Sequence, residues 1–235
     1  CGSCFTTCMS GLCGQGVCQG TTGAHVVVIG MNYIQSTSAS RTLLGNALSM
    51  SPRDPTRVLA YTAFAEPQSV QSVHQTALVQ AAQLGRTINL TATSSTAQIA
   101  TDLDVQSYEV LLVHDLAQAS ALDASAVATA MASTIDDFTR DGGTVIVLAV
   151  SSAPMSTFLT DSGLFDTTSL TDVSGATLQN FTPAGALGIN VVSPLFASPA
   201  TAGLVTVETP GADLSFVLLA DVPGSLPVAI HRVVP

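Results

Sequence analysis

The chain has 235 residues, of which 47% are hydrophobic and only 9% are charged, a composition typical of a folded domain and not of a disordered segment. Six arginines and no lysine against sixteen acidic residues give a net charge of −10, which repels phosphate backbones and anionic headgroups, so we expect no nucleic-acid partner. The chain contains no run of about 18 apolar residues, the length that a membrane-spanning helix requires.

The first twenty residues hold all five cysteines, interleaved with glycines and without apolar periodicity. Such a segment has no core of its own, so cross-links or a metal must replace hydrophobic burial if it is ordered. The spacing has one C-x2-C pair and no histidine, and it lacks the C-x2-C-x2-C run of iron–sulfur proteins. We therefore expect disulfides, with a metal site or free thiols as the alternatives, and no cofactor.

The odd number of cysteines leaves one of them without a partner inside this segment. Cys1 opens a chain that has neither a first Met nor a signal peptide, and Cys-Gly-Ser resembles the start of a processed bacterial lipoprotein. That resemblance implies a lipid on Cys1, attachment to a membrane and export to the cell surface. Alternatively, Cys1 bonds to a neighbouring subunit, or the sequence simply begins at a cysteine. Two intrachain bridges, in any of three pairings, then remain for four residues: Cys4, Cys8, Cys13 and Cys18.

After a glycine-bounded spacer the pattern changes, which predicts a boundary between a tail at 1–23 and a domain at 24–235. Apolar, β-branched runs bounded by glycine are typical of strands that are buried on both faces. We predict five of them: His25–Gly30, Arg57–Phe64, Thr87–Ala92, Tyr108–Asp115 and Gly143–Val150. Helical spacing predicts helices between them: Ser40–Met50, Pro67–Leu84 and Asp123–Arg140, the last capped by Asp123.

The pattern loosens beyond Val150. A short helix is expected at Met155–Leu164, followed by antiparallel strands that finish or flank the sheet: Ile189–Val192, Gly203–Val207, Leu214–Leu219 and Val228–Val234. Strands that alternate with crossover helices indicate right-handed βαβ units. The predicted fold class is therefore α/β: a doubly wound, mostly parallel sheet of flavodoxin-like, three-layer type, with C-terminal antiparallel strands and a cysteine-rich tail.

One part of the body resembles the class I glutamine amidotransferase-like superfamily. The matching elements are the strand at 108–115, the helix that ends Phe138-Thr-Arg-Asp-Gly-Gly143 and the strand at 144–150. In that superfamily the last strand leads into G-x-C-x-G, a tight turn that carries a nucleophilic cysteine. This chain instead has Leu148-Ala-Val-Ser-Ser-Ala-Pro154, so the cysteine and both glycines are absent.

The remaining candidates for chemistry are few. Ser151 or Ser152 stands at the nucleophile position, although a strained elbow without glycine is sterically difficult, and a loop serine also serves to satisfy backbone groups. His114 and Asp115 end the fourth strand, where open α/β sheets bind ligands, but polar residues there also anchor loops. The chain has no phosphate-binding glycine motif and no calcium loop, and we expect no metal.

We therefore expect a non-catalytic, secreted or cell-surface structural or interaction protein of bacterial type, attached or assembled through its cysteine-rich tail. Its partner would be another copy of itself or another surface protein. A second hypothesis is a self-assembling subunit of an extracellular filament. A third is a divergent serine hydrolase or amidotransferase-like enzyme that uses Ser151, His114 and Asp115.

Overall fold

The computed structural model describes residues 13–14, 17–18, 23–182 and 185–234, and gives only the backbone of residues 13, 14, 17, 18 and 152. The strands in this part of the chain are β1 (Cys13–Gly14), β2 (Val17–Cys18), β3 (Ala24–Ile29), β4 (Thr56–Tyr61), β5 (Ile88–Thr93), β6 (Val110–Val113), β7 (Thr144–Leu148), β8 (Thr167–Asp172), β9 (Thr177–Asn180), β10 (Leu195–Phe196), β11 (Ala202–Thr206), β12 (Leu214–Ala220) and β13 (Pro227–Val234). The helices are α1 (Ser38–Leu48), α2 (Pro67–Gln83), α3 (Thr96–Asp102), α4 (Ala121–Arg140) and α5 (Ser152–Asp161).

A nine-stranded sheet in the order β10-β9-β12-β13-β3-β7-β6-β4-β5 forms the centre of the molecule. The five strands from β3 to β5 pair in parallel, as their continuous apolar runs predict. Along β3, Val27 and Ile29 belong to the core cluster under α1 and α2, whereas Val26 and Val28 belong to the cluster under α3, α4 and α5. The sheet is therefore covered by helices on both faces, and the predicted α/β class is confirmed.

The other four strands of the sheet are antiparallel, and β8 pairs with β11 in a separate two-stranded sheet. The predicted C-terminal strands correspond to β11, β12 and β13, but the strand expected at Ile189–Val192 is wrong. Ile189 and Asn190 lie in a turn, and the positive φ of Asn190, 60°, is incompatible with a strand. We did not predict α3, β8 or β9, which carry few apolar side chains, or β10, which has only two residues.

The N-cap of helix α4 lies three residues earlier than predicted. Ser120, not Asp123, is its N-cap, and the hydroxyl of Ser120 accepts the backbone N–H of Asp123 at 3.1 Å. The carboxylate of Asp123 in turn accepts the N–H of Ser120 at 3.1 Å, so the two residues form a capping box. The carboxylate thus occupies the third helical position, because the serine hydroxyl already caps the helix.

The cysteine predictions fall largely outside the described residues. Cys1, Cys4 and Cys8 lie outside them, whereas Cys13 and Cys18 are opposite each other in the antiparallel β1–β2 pair. Their assignment to disulfides and the lipid or intermolecular bond on Cys1 stay predictions, as does the division between residues 1–23 and 24–235. Over the described ranges, the helices include none with the length and apolar content needed to cross a membrane.

Candidate functional site

The candidate site lies at the carboxyl edge of the parallel strands. The loops after β3 and β4 lead to α1 and α2 on one face, whereas those after β6 and β7 lead to α4 and α5 on the other face. Because β3 lies beside β7 and β4 beside β6, neighbouring loops diverge and open a crevice, as at the ligand sites of open α/β sheets. A cavity of about 190 Å³ occupies this crevice, and its polar lining includes Asn32, Tyr33, Glu66, Asp115 and Ser151.

Asp115 and Ser151 meet in this cavity. The Ser151 hydroxyl donates to one carboxylate oxygen of Asp115 at 2.6 Å. The other oxygen accepts the backbone N–H groups of Val150 at 3.0 Å and Ser151 at 2.8 Å. Burial outweighs these hydrogen bonds and raises the pKa of Asp115 above its ordinary value. Because Ser151 is the N-cap of α5, these backbone bonds hold the carboxylate beside the N-terminus of that helix. Helix N-termini often bind external anions, and here a carboxylate of the chain itself lies in that place.

His114 does not join this pair, although it directly precedes Asp115. Its Nε2 lies 3.2 Å from Nε2 of His74, which is on α2. Burial, together with the nearby His74, lowers the pKa of His114 to about 3, and burial also lowers that of His74. Both rings are therefore neutral at pH 7, and one Nε2–H donates to the other ring. Successive residues of an extended chain point to opposite sides, which explains why His114 and Asp115 diverge.

The two remaining histidines form a second pair on β3 and β13. Nδ1 of His25 lies 3.0 Å from Nε2 of His231, and burial lowers the pKa of each to about 4. His25 lies within β3, as the predicted strand at His25–Gly30 implies. The next residue, Arg232, donates to the Leu164 carbonyl at 2.6 Å and pairs with Glu208, so it has a structural partner as well.

These placements decide which predicted groups come together. Ser151 and Asp115 are bonded directly, but all four histidines of the chain are described and are held in two pairs, so no histidine lies between them. A Ser-His-Asp relay, in which the histidine takes the serine proton, is therefore not assembled. The side chain of Ser152, the alternative nucleophile, is outside the described part.

The charge of the cavity limits what it accepts. Its charged lining residues are Glu66 and Asp115, both acidic, so the cavity repels phosphate and other anions. Over the described residues, no group of three or more His, Cys, Asp or Glu side chains is arranged to hold a metal ion. The cavity instead suits water or a small group that donates hydrogen bonds.

Glu66 and Tyr33 also line the cavity, although neither was among the predicted site residues. Glu66 lies in the loop between β4 and α2 and directly precedes Pro67, the first residue of α2. Ligands of open α/β sheets bind at the carboxyl ends of the strands, and this rule, which predicted His114 and Asp115, applies to Glu66 as well. Tyr33 donates its hydroxyl to the Ser40 carbonyl at 3.0 Å, so it supports the wall of the cavity. No local pattern signals this role, because the apolar body of the ring is what the core requires.

Comparison with known proteins identifies no family for this chain. No family model matches it, and neither does any curated protein. A solved structure similar to it is the crystal structure of a peptidase from an acI-B1 Actinobacterium, with 14% sequence identity and a TM-score of 0.34. The similarity covers 55% of this chain and 55% of that chain, so the match spans about half the length of the peptidase.

Proposed function

We propose that this chain is a non-catalytic, exported structural or interaction protein that is attached or assembled through its cysteine-rich N-terminal segment. The observation that carries the proposal is the direct bond between Ser151 and Asp115. The serine hydroxyl is used to hold a buried carboxylate, and that carboxylate joins the ends of β6 and β7 through three hydrogen bonds. This arrangement stabilises the edge of the sheet and needs no substrate.

The size of the cavity supports the same proposal. Sites for small molecules and cofactors generally measure about 300–1,000 Å³. The cavity beside Ser151 measures about 190 Å³, which is below this range. Both charged residues of its lining are acidic, so they would repel the negative charge that develops on the substrate during acyl transfer.

Export and attachment rest on the cysteine-rich start of the sequence. Five cysteines within eighteen residues favour an oxidising compartment, since small segments without a core persist there by means of disulfides. The resemblance of Cys1-Gly-Ser to a lipoprotein start supports lipid attachment. The intact mass of native material, with and without reductant, tests this part: a lipid-sized addition on Cys1 supports attachment, and an unmodified, reduced chain contradicts it.

The non-catalytic part is tested with a fluorophosphonate, a probe that reacts with activated serines. We expect no labelling of the full chain, and the same background for Ser151→Ala. The matched variant is Asp115→Asn, which keeps Ser151 but replaces the carboxylate that accepts its hydroxyl. Labelling of Ser151 in the wild type that disappears in both variants would overturn the proposal and identify the enzyme instead.

The same bond also favours a second candidate, a divergent serine hydrolase similar to the amidotransferase-like superfamily. Ser151 follows β7 and precedes α5, which is the position of the nucleophile in that superfamily. Asp115 would accept the hydroxyl proton directly as Ser151 Oγ attacks a carbonyl carbon, and its raised pKa brings it closer to the range of a general base. This candidate predicts probe labelling that increases as pH rises through the pKa of Asp115.

A further inference from the structure

Strand β5 ends the nine-stranded sheet and has one neighbouring strand, β4. The carbonyls of Thr87 and Thr93 accept the backbone N–H groups of Thr56, in β4, and of Thr62, the residue after β4, at 2.9 Å each, which shows that these positions face β4. Because main-chain groups of alternate strand residues point to the same side, the N–H and C=O groups of Ile88, Leu90 and Ala92 point away from the sheet. Within the described chain they meet no further strand.

The two edges of the sheet differ in their protection. Exposed strand edges usually carry charged residues or proline, or are very short, because bare edges pair with other chains. The opposite edge follows this rule: β10 has two residues and comes directly after Pro194. Strand β5 has six residues, Ile-Asn-Leu-Thr-Ala-Thr, with no charge and no proline, and its pairing with β4 shows no bulge.

Charge favours a second copy of this chain as the partner at β5. Two copies with a net charge of −10 repel each other, and an isologous contact places each segment against its own duplicate. Residues 87–101 contain no charged residue and no histidine, so two β5 strands present no like charges to each other, and the charged residues of the adjacent cleft, Arg57 and Asp102, are of opposite sign. Asn89, Thr91 and Ala92 are exposed, and Leu90 is half-buried.

We infer that β5 is a homodimer interface, in which the β5 strands of two copies pair antiparallel about a two-fold axis at Leu90. In this register Leu90 faces Leu90 of the second copy, and Ile88 faces Ala92. The main-chain groups of these three residues point away from β4. Each of the three opposed pairs therefore exchanges two main-chain hydrogen bonds, which gives about six in all. The two sheets then join into one continuous sheet, and both bare edges disappear.

The side chains of β5 suit this contact. In the same register Asn89 lies opposite Thr91, on the face where both residues border an open cleft of about 540 Å³ beside Gln106 and Ser107. Polar cross-strand pairs of this kind add stability through side-chain hydrogen bonds. The inference goes beyond the proposed function, because it uses only the α/β domain and requires no cysteine of the N-terminal segment.

The test measures the mass of the full chain in solution by light scattering after size-exclusion chromatography, over a wide range of concentrations. Reductant is present throughout, so that disulfide links through the N-terminal segment cannot contribute. We expect the mass to approach twice 23.9 kDa as concentration rises. A wild-type chain that stays monomeric at every concentration overturns the inference and leaves the proposed attachment through the cysteines untouched.

Two variants locate the interface. Leu90→Pro removes an outward N–H but no bond to β4, and Thr91→Lys places like charges near the two-fold axis. Both are expected to remain monomeric at concentrations where the wild type is dimeric. Thr129→Lys adds the same charge to an exposed position of α4, and is expected to dimerise like the wild type.

Circular dichroism of each variant confirms that it is folded, and hydrogen exchange gives a readout that needs no variant. The amides of Leu90 and Ala92 are expected to exchange more slowly in concentrated than in dilute wild-type protein. Dimers that persist in both β5 variants, or open-ended oligomers in place of dimers, would contradict pairing at this edge.

Discussion

The two histidine pairs predict that the protein loses stability in mild acid. Burial lowers the pKa of His25 and of His231 to about 4 and that of His114 to about 3, whereas an unfolded histidine titrates near 6.5. Between these values the unfolded chain binds protons that the folded chain does not. The stability contributed by neutral, buried rings is therefore fully present above pH 6.5 and is lost progressively as pH falls below that value.

The expected magnitude follows from the same shifts. At pH 5, 1.5 units below the unfolded pKa, each ring that stays neutral in the fold costs about 2 kcal/mol. Even if only one ring of each pair is counted, the loss between pH 7 and pH 5 is at least about 4 kcal/mol. This is a large fraction of the roughly 5–15 kcal/mol by which domains are stable. Most carboxylates titrate below this window and contribute little to the change.

Urea denaturation followed by circular dichroism, at constant ionic strength and at several pH values from 5 to 8, measures this dependence. The double variant His25→Gln/His231→Gln keeps polar groups at both positions but removes one titrating pair, so it should show about half of the wild-type loss. A free energy of unfolding that is the same at pH 5 and pH 7 in the wild type would refute the reasoning.

Three substitutions test the packing and hydrogen bonds of the fold, each by the urea midpoint. Gly143→Ala places a Cβ 2.3 Å from the buried ring of Phe138, and should cost about 1–3 kcal/mol; an unchanged midpoint would contradict this contact. Ser120→Ala removes the hydroxyl that caps α4 and should cost about 1 kcal/mol, with Ser120→Thr as the variant that keeps the cap. Glu109→Ala removes a buried carboxylate that accepts the backbone N–H of Arg57 at 2.7 Å and pairs with the Arg57 side chain. Since the Arg57 side chain is 33% exposed, we expect a cost of about 2 kcal/mol, less than for a fully buried pair, and a cost near zero would be inconsistent with the bonds described.

The candidate site was only partly predictable. The sequence predicts Asp115 because it ends a buried strand at the edge where open α/β sheets bind ligands, and Ser151 because it stands at the nucleophile position that the amidotransferase-like resemblance implies. Their hydrogen bond depends on β6 and β7 being neighbours in the sheet, which strand order alone decides. His114 was expected beside them, but it projects towards α2 and meets His74, a residue 40 positions away along the chain.

By itself, the sequence determined the class of the fold and the positions of its main elements. Continuous apolar runs require burial on both faces of a strand, and helical spacing between them requires crossover helices, so the parallel half of the sheet followed from local pattern. Only the tertiary structure decided the short polar strands, the pairing of His25 with His231 across 206 residues, and the bare outer edge of β5. These features depend on which elements become neighbours in the fold. Packing between residues that are distant in the sequence decides this, so no short segment of the sequence predicts it.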